Sequence, residues 1–132
     1  MVSCRMLVTS RWGFFLQIDQ QRSVRGVREK DDDCVFEMKT TDFAKVTIRG
    51  VQSNIYVAMN DQGNLYTTDT QNPSCVWKEI HHTDGYNYYE SDQHNGFFLA
   101  LKRRGDPKNG RSTALGQVSC AFLVTTITHE AT

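Results

Sequence analysis

The chain contains no apolar run long enough to cross a membrane as a helix. It also has no surplus of charge of either sign. Lys plus Arg and Asp plus Glu each number 15 in 132 residues, so no global field draws nucleic acid or an anionic membrane. Any charge-driven binding must therefore be local. An Asn-x-Ser/Thr glycosylation site is missing too, since Asn72-Pro73-Ser74 is excluded by its proline. No stretch pairs a helical period with caps. No nucleophile elbow, phosphate loop or zinc-protease pattern occurs, and a non-enzyme without a cofactor is the expectation. His81 and His82 are adjacent and point to opposite faces of a strand, so they do not readily share a metal. The start, Met1 to Leu7, lacks the apolar core of a secretory leader, which is expected to have been removed or to lie outside this chain.

What the chain does have is one pattern written three times: an alternating apolar run, a turn, then Cys-x-aromatic. The runs are Phe14-Phe15-Leu16-Gln17-Ile18, Ile55-Tyr56-Val57-Ala58-Met59 and Phe97-Phe98-Leu99-Ala100-Leu101. The matching pieces are Cys34-Val35-Phe36, Cys75-Val76-Trp77 and Cys120-Ala121-Phe122. Phe14 to Ile55 is 41 residues, Ile55 to Phe97 is 42 and Cys34 to Cys75 is 41. A period in this range marks a repeated supersecondary unit, and alternation makes the unit β. Three units are too few for a propeller, and an open solenoid would need capping units. Closing three units about an axis removes the strand edges, which predicts an all-β β-trefoil of three pseudo-symmetric four-stranded repeats of about 41–45 residues. The chain is expected to be a single domain, 1–132, with repeats at roughly 7–48, 49–90 and 91–127 and a tail at 128–132.

The third copy departs from the other two. Ile18 to Cys34 and Met59 to Cys75 are both 16 residues, whereas Leu101 to Cys120 is 19. The lengthened stretch, 102–113, holds Lys102, Arg103, Arg104, Lys108 and Arg111 against one acid, Asp106. A dense basic loop suits a sulfated polyanion, which pairs with Arg and Lys through charge-assisted hydrogen bonds. Composition alone favours the plainer reading, a solvated charged turn. Arg104-Gly105-Asp106 is the integrin-recognition tripeptide, for which a chance run of common turn residues is the favoured account and an integrin partner the sharper one. Cys34, Cys75 and Cys120 share a strand face with their aromatics, so they are expected in the core as free thiols, with a Cys34–Cys75 bridge as the alternative.

Gly63-x-Leu65-x-Thr67, followed by Ser74-Cys75-x-Trp77-x-Glu79 and then Tyr86, resembles the signature of the fibroblast growth factor family, with Ser74 and Trp77 departing from its usual residues. Tyr56-Val57-Ala58-Met59-Asn60 is similar to another phrase of that family. The resemblance runs from about Leu7 to Thr125 and is mixed between two branches: Gly26-Val27-Arg28-Glu29-Lys30 is like the basic fibroblast growth factor, Gln93-His94-Asn95-Gly96 and Cys34 like the keratinocyte growth factor. The family's fold is a β-trefoil. The resemblance implies a secreted signalling ligand with two partners, heparan sulfate and a fibroblast growth factor receptor tyrosine kinase ectodomain, which together bring receptors into an active dimer. It implies heparan sulfate binding at Arg11, Lys102, Arg103, Arg104, Lys108, Arg111 and Gln117, weakened by Ser112 and Val118 where lysines are common. It implies receptor contacts at Val8, Arg28, Glu79, Tyr86, Asn87 and Leu123, with Val8 standing in place of a tyrosine and Thr125 in place of an apolar residue. Two alternatives differ in class: an intracellular interaction protein like the family's homologous factors, and a carbohydrate-binding trefoil. Ricin-type lectins carry Gln-x-Trp where this chain has Cys-x-aromatic, which argues against the second.

Overall fold

The computed structural model describes residues 3–127; the expected tail at 128–132 lies outside them. The strands are β1 Ser3–Ser10, β2 Phe15–Ile18, β3 Val24–Val27, β4 Phe36–Asp42, β5 Lys45–Gly50, β6 Tyr56–Met59, β7 Leu65–Thr68, β8 Val76–His81, β9 Asn87–Ser91 and β10 Phe122–Thr126. Six of them close a barrel. β1 pairs with β4, β4 with β5, β5 with β8, β8 with β9, β9 with β10, and β10 returns to β1, every pair antiparallel. The β2–β3 hairpin interrupts the chain between β1 and β4, and the β6–β7 hairpin interrupts it between β5 and β8. This is the all-β β-trefoil that the period predicts.

The hairpin of the third copy is reduced. Where a hairpin should lie between β9 and β10, only two isolated bridges form, Glu90–Phe98 and Leu101–Pro107. The ladder stops after Lys108 N–H to Ala100 C=O, because Asn109 and Gly110 bond the 60–64 turn instead; Pro107 itself sits at a non-hydrogen-bonded position, where no N–H is needed. Immediately beyond it the chain turns into a short 3₁₀ segment at Gly110–Ser112 instead of continuing as a strand.

The repeat is nonetheless kept at the hairpin turns. Asp19 N–H donates to Ser23 C=O, Asn60 N–H to Asn64 C=O and Lys102 N–H to Asp106 C=O, at 3.0, 3.1 and 2.7 Å. A second bond joins the fourth residue of each turn to the first: Arg22 to Asp19, Gly63 to Asn60 and Gly105 to Lys102. In the first two turns the leading carboxylate or amide also accepts from two later backbone N–H groups. Lys102 leads the third turn and cannot accept in this way, so a cation there replaces two turn-stabilising bonds.

Each repeat ends its connection in a 3₁₀ turn that delivers a cysteine to the core: Asp32–Cys34, Pro73–Cys75 and Val118–Cys120. Asp31 and Asn72 cap the first two by accepting from Asp33 and Ser74 N–H, while Gln117 leaves the third uncapped by a side chain. Cys34, Cys75 and Cys120 are free thiols, fully buried, as are Phe36, Trp77 and Phe122 two residues on. Trp77, the indole at a position usually filled by a smaller apolar residue, satisfies its N–H on Val57 C=O at 3.1 Å. Around these aromatics pack Leu16, Ile18, Ile48, Val57, Met59, Tyr89, Leu99 and Leu101.

Burial pushes the Cys34 and Cys120 thiols up to about 11 and raises Cys75 as well. Burial and the Asp84 carboxylate likewise push the Tyr88 hydroxyl up to about 12. A thiol whose folded pKa lies above its unfolded value near 9.0 contributes stability in full below that pH, and loses it as pH rises through the folded value. The melting temperature under reducing conditions should therefore decline between about pH 9 and pH 11. The decline should be shallower in Cys34→Ala and Cys120→Ala, each compared with its own value at about pH 7. Thermal denaturation followed in steps of pH checks this, and equal slopes in all three proteins would contradict it.

Candidate functional site

The basic segment of the third repeat is an ordered structure. Lys102, Arg103 and Arg104 are exposed along the turn, and Arg111 and Ser112 are exposed on the 3₁₀ segment beyond it. Lys108 is half-buried, and its Nζ reaches Gln117 Oε1 at 3.4 Å, which brings these two expected polyanion contacts together. Among the described residues the ion pairs are Arg25–Asp19, Lys45–Asp92, Arg49–Glu37 and His81–Glu79. None involves the five cations of 102–113, so their charge is available to an external anion.

Two close approaches fix the segment. At its first end, Gly105 has φ +95° and is buried against the first repeat, where Gly26 N–H donates to its carbonyl at 2.8 Å. A Cβ on Gly105 would lie 2.9 Å from Gly26 O and 3.1 Å from the Phe14 ring, so only glycine fits. The glycine of Arg104-Gly105-Asp106 thus faces inward, and the tripeptide serves as a packed turn. At its second end, Asn109 clamps the segment onto the β6–β7 turn. Its Nδ2 donates to Gln62 C=O and to Asn64 Oδ1, both at 3.0 Å, while its Oδ1 accepts from Arg111 N–H at 2.9 Å. Gly110 N–H donates to Gly63 C=O at 2.7 Å. Thr113 closes the loop by donating to Gly110 C=O and accepting from Phe98 N–H.

The expected receptor positions fall into a different group. Phe122 of β10 stands opposite both Ser10 of β1 and Asn87 of β9, so the ends of these three strands form one surface. Leu123 is 48% exposed there, opposite Thr9. Asn87 Oδ1 lies 2.7 Å from His81 Nδ1, and Glu79 accepts from the Tyr89 hydroxyl at 2.8 Å, with His81 Nε2 at 3.6 Å. Burial and this carboxylate raise the Tyr89 hydroxyl well above its usual range. Tyr88 is buried and donates to the Asp84 carboxylate.

Three of the expected positions have surroundings that the sequence does not show. Val8 is fully buried within the barrel core, so its side chain is no surface contact. The register of β1 turns Val8 and Ser10 inward, and a valine is content there where a tyrosine hydroxyl would need a partner. Arg11 was grouped with the basic loop, but its guanidinium sits 4.9 Å from the centroid of the Tyr86 ring. That cation–π stack places it with Tyr86 and Asn87. Arg28 was grouped with the receptor positions, yet it lies 4.5 Å from the centroid of Phe14, the ring against which Gly105 packs, so it adjoins the basic turn. Sequence reasoning also passed over the Asn109 clamp. Its only signal in the sequence is the Asn109-Gly110 pair, which by itself marks no more than a turn.

Fold and site define a β-trefoil whose third repeat carries an unneutralised cationic loop. Over residues 4–123 the chain matches the family model described as fibroblast growth factor. It is 36% identical to human fibroblast growth factor 7 over 129 residues, covering 94% of this chain and 66% of that protein. It is 33% identical to fibroblast growth factor 2 of Xenopus laevis over 120 residues, 90% of this chain and 77% of the relative. Fibroblast growth factor 2 of Cavia porcellus is 37% identical over 112 residues, 84% and 66% respectively. The chain belongs to the fibroblast growth factor family, and it spans about two thirds of the length of human fibroblast growth factor 7.

The clamp makes a local prediction. Asn109→Ala removes an N-cap and two donated bonds and should cost about 1–2 kcal/mol. Asn64→Ala removes one acceptor and should cost less than about 1 kcal/mol. Hydrogen exchange should show the Arg111 and Gly110 amides losing protection in both variants while the β8–β9 amides keep theirs. Unchanged protection at Arg111 in Asn109→Ala would contradict the clamp.

Proposed function

We propose that the chain acts as an extracellular growth-factor ligand that binds heparan sulfate through Lys102, Arg103, Arg104, Lys108, Arg111 and Gln117. A fibroblast growth factor receptor ectodomain docks on a separate surface comprising Glu79, Tyr86, Asn87, Leu123 and Arg11. The observation that carries the first half is a clamped segment of five cations, none neutralised within the described residues. Dense like charge on a rigid loop is unfavourable for the free protein and becomes favourable when a polyanion brings sulfates to it. Prior fixing of the loop lowers the ordering cost of that encounter.

The second half is carried by the exposed Leu123 beside a preset polar cluster. Glu79 and Asn87 are already held by Tyr89 and His81, and Arg11 is stacked on Tyr86. An apolar anchor ringed by oriented polar groups is the composition of a protein-binding patch. A buried Val8 leaves Leu123 as the main exposed apolar anchor on this surface, so the interface should lean on polar contacts.

The direct test is receptor phosphorylation in responsive cells, with and without added heparin. Activation that rises with heparin is expected, and no phosphorylation in either condition would sink the proposal. Two variants separate the sites. Lys102→Ala combined with Arg103→Ala and Arg104→Ala should elute from heparin at markedly lower salt, with receptor affinity in the absence of heparin unchanged. Glu79→Ala combined with Leu123→Ala should weaken receptor binding by at least about tenfold, with heparin elution unchanged.

A further inference from the structure

Arg22 is the odd residue among the three equivalent hairpin turns. The fourth positions are Arg22, Gly63 and Gly105, with φ of 66°, 81° and 95°. Glycine enters this left-handed region at little cost, whereas the Cβ of an arginine opposes it. The first repeat holds its strained residue from outside, because the Thr67 hydroxyl of the second repeat donates to Arg22 C=O at 2.7 Å. Strain that is retained and braced from another repeat points to a use for the side chain.

Arg22 borders a groove of about 500 Å³ where the three repeats meet. Its walls are Ser23 and Val24 from the first repeat, Tyr66 and Thr67 from the second, and Pro107 from the basic segment of the third. Tyr66 is 37% exposed. No carboxylate lines this groove; Arg22 also borders a second depression, which Asp19 and Asp33 line. Arg22 makes no ion pair among the described residues.

We propose that this groove is a further subsite for a sulfated saccharide, continuing the polyanion path from the basic loop across Pro107 to Arg22. The guanidinium presents paired N–H donors to a sulfate or carboxylate, and the exposed Tyr66 ring offers its face to the C–H side of a sugar ring. The proposal rests on the reading of 102–113 as the polyanion site, because Pro107 is the residue that joins the two. It makes recognition depend on chain length: a short fragment fills the loop alone, and only a longer one reaches Arg22.

Arg22→Gly tests this, since glycine is the residue the other two repeats use and it enters the left-handed region without strain. Calorimetric titration would use a heparin tetrasaccharide and a heparin decasaccharide. The variant should melt at a higher temperature than the parent and bind the tetrasaccharide equally well. It should bind the decasaccharide about three- to tenfold more weakly, with about one fewer counterion released in the salt dependence. Tyr66→Ala should weaken decasaccharide binding alone. Unchanged decasaccharide affinity in Arg22→Gly, or an equal loss for both fragments, would overturn the subsite. Failure of the underlying reading has a separate signature: the triple Lys102, Arg103, Arg104 to Ala variant would then bind the tetrasaccharide as well as the parent.

Discussion

The pairing on which the molecule depends is that of its first strand with its last. β1 and β10 run antiparallel from Met6–Thr126 to Ser10–Phe122 and complete the barrel. Without that ladder β1 and β10 would each expose an unpaired edge, and the Phe122 layer of the core would open to water. With it, every barrel strand has a neighbour on both sides, and three chemically unlike repeats are held in one frame. The same ladder puts Leu123 beside Thr9 and Asn87 near the β1–β2 turn, so the surface assigned to a receptor is a direct product of closure.

Within that frame the third repeat gives up regular structure and gains charge. It loses two strands, a side-chain-capped turn at Lys102 and a capped 3₁₀ turn at Gln117. What restores order is borrowed from its neighbours: Gly26 on one side, and Gln62, Gly63 and Asn64 on the other. Placing five cations on a segment braced from two other repeats separates the demands of folding from those of binding. The barrel core contributes the stability, and the braced loop contributes a charged surface that need not be ordered at each encounter.

The fold was legible because burial repeats with the chain. Cys34, Cys75 and Cys120, each two residues before a core aromatic, report a period that side-chain chemistry alone produces. The reduced hairpin was less legible: the three-residue excess was visible, but not that Asn109 and Gly110 leave the ladder to bond the β6–β7 turn. The surroundings of Val8, Arg11 and Arg28 were not legible, for a common reason. Their surroundings are set by residues distant in sequence (the barrel core, Tyr86 and Phe14), and no local spacing records those neighbours. The clamp escaped for the same reason, since Asn109 bonds residues some 45 positions earlier.

Closure has one more consequence. Ile127 N–H donates to Arg5 C=O at 2.8 Å, so the two ends of the described chain leave the barrel side by side. A short flexible peptide between these two positions would turn the backbone into a ring. Such a ring could be opened afresh at the Asp42–Lys45 turn, whose Phe43 is 92% exposed. Topologically, then, the molecule has no obligatory first residue. The order of its repeats along the chain and their arrangement in space are separable properties, and only the second is needed for the surfaces described.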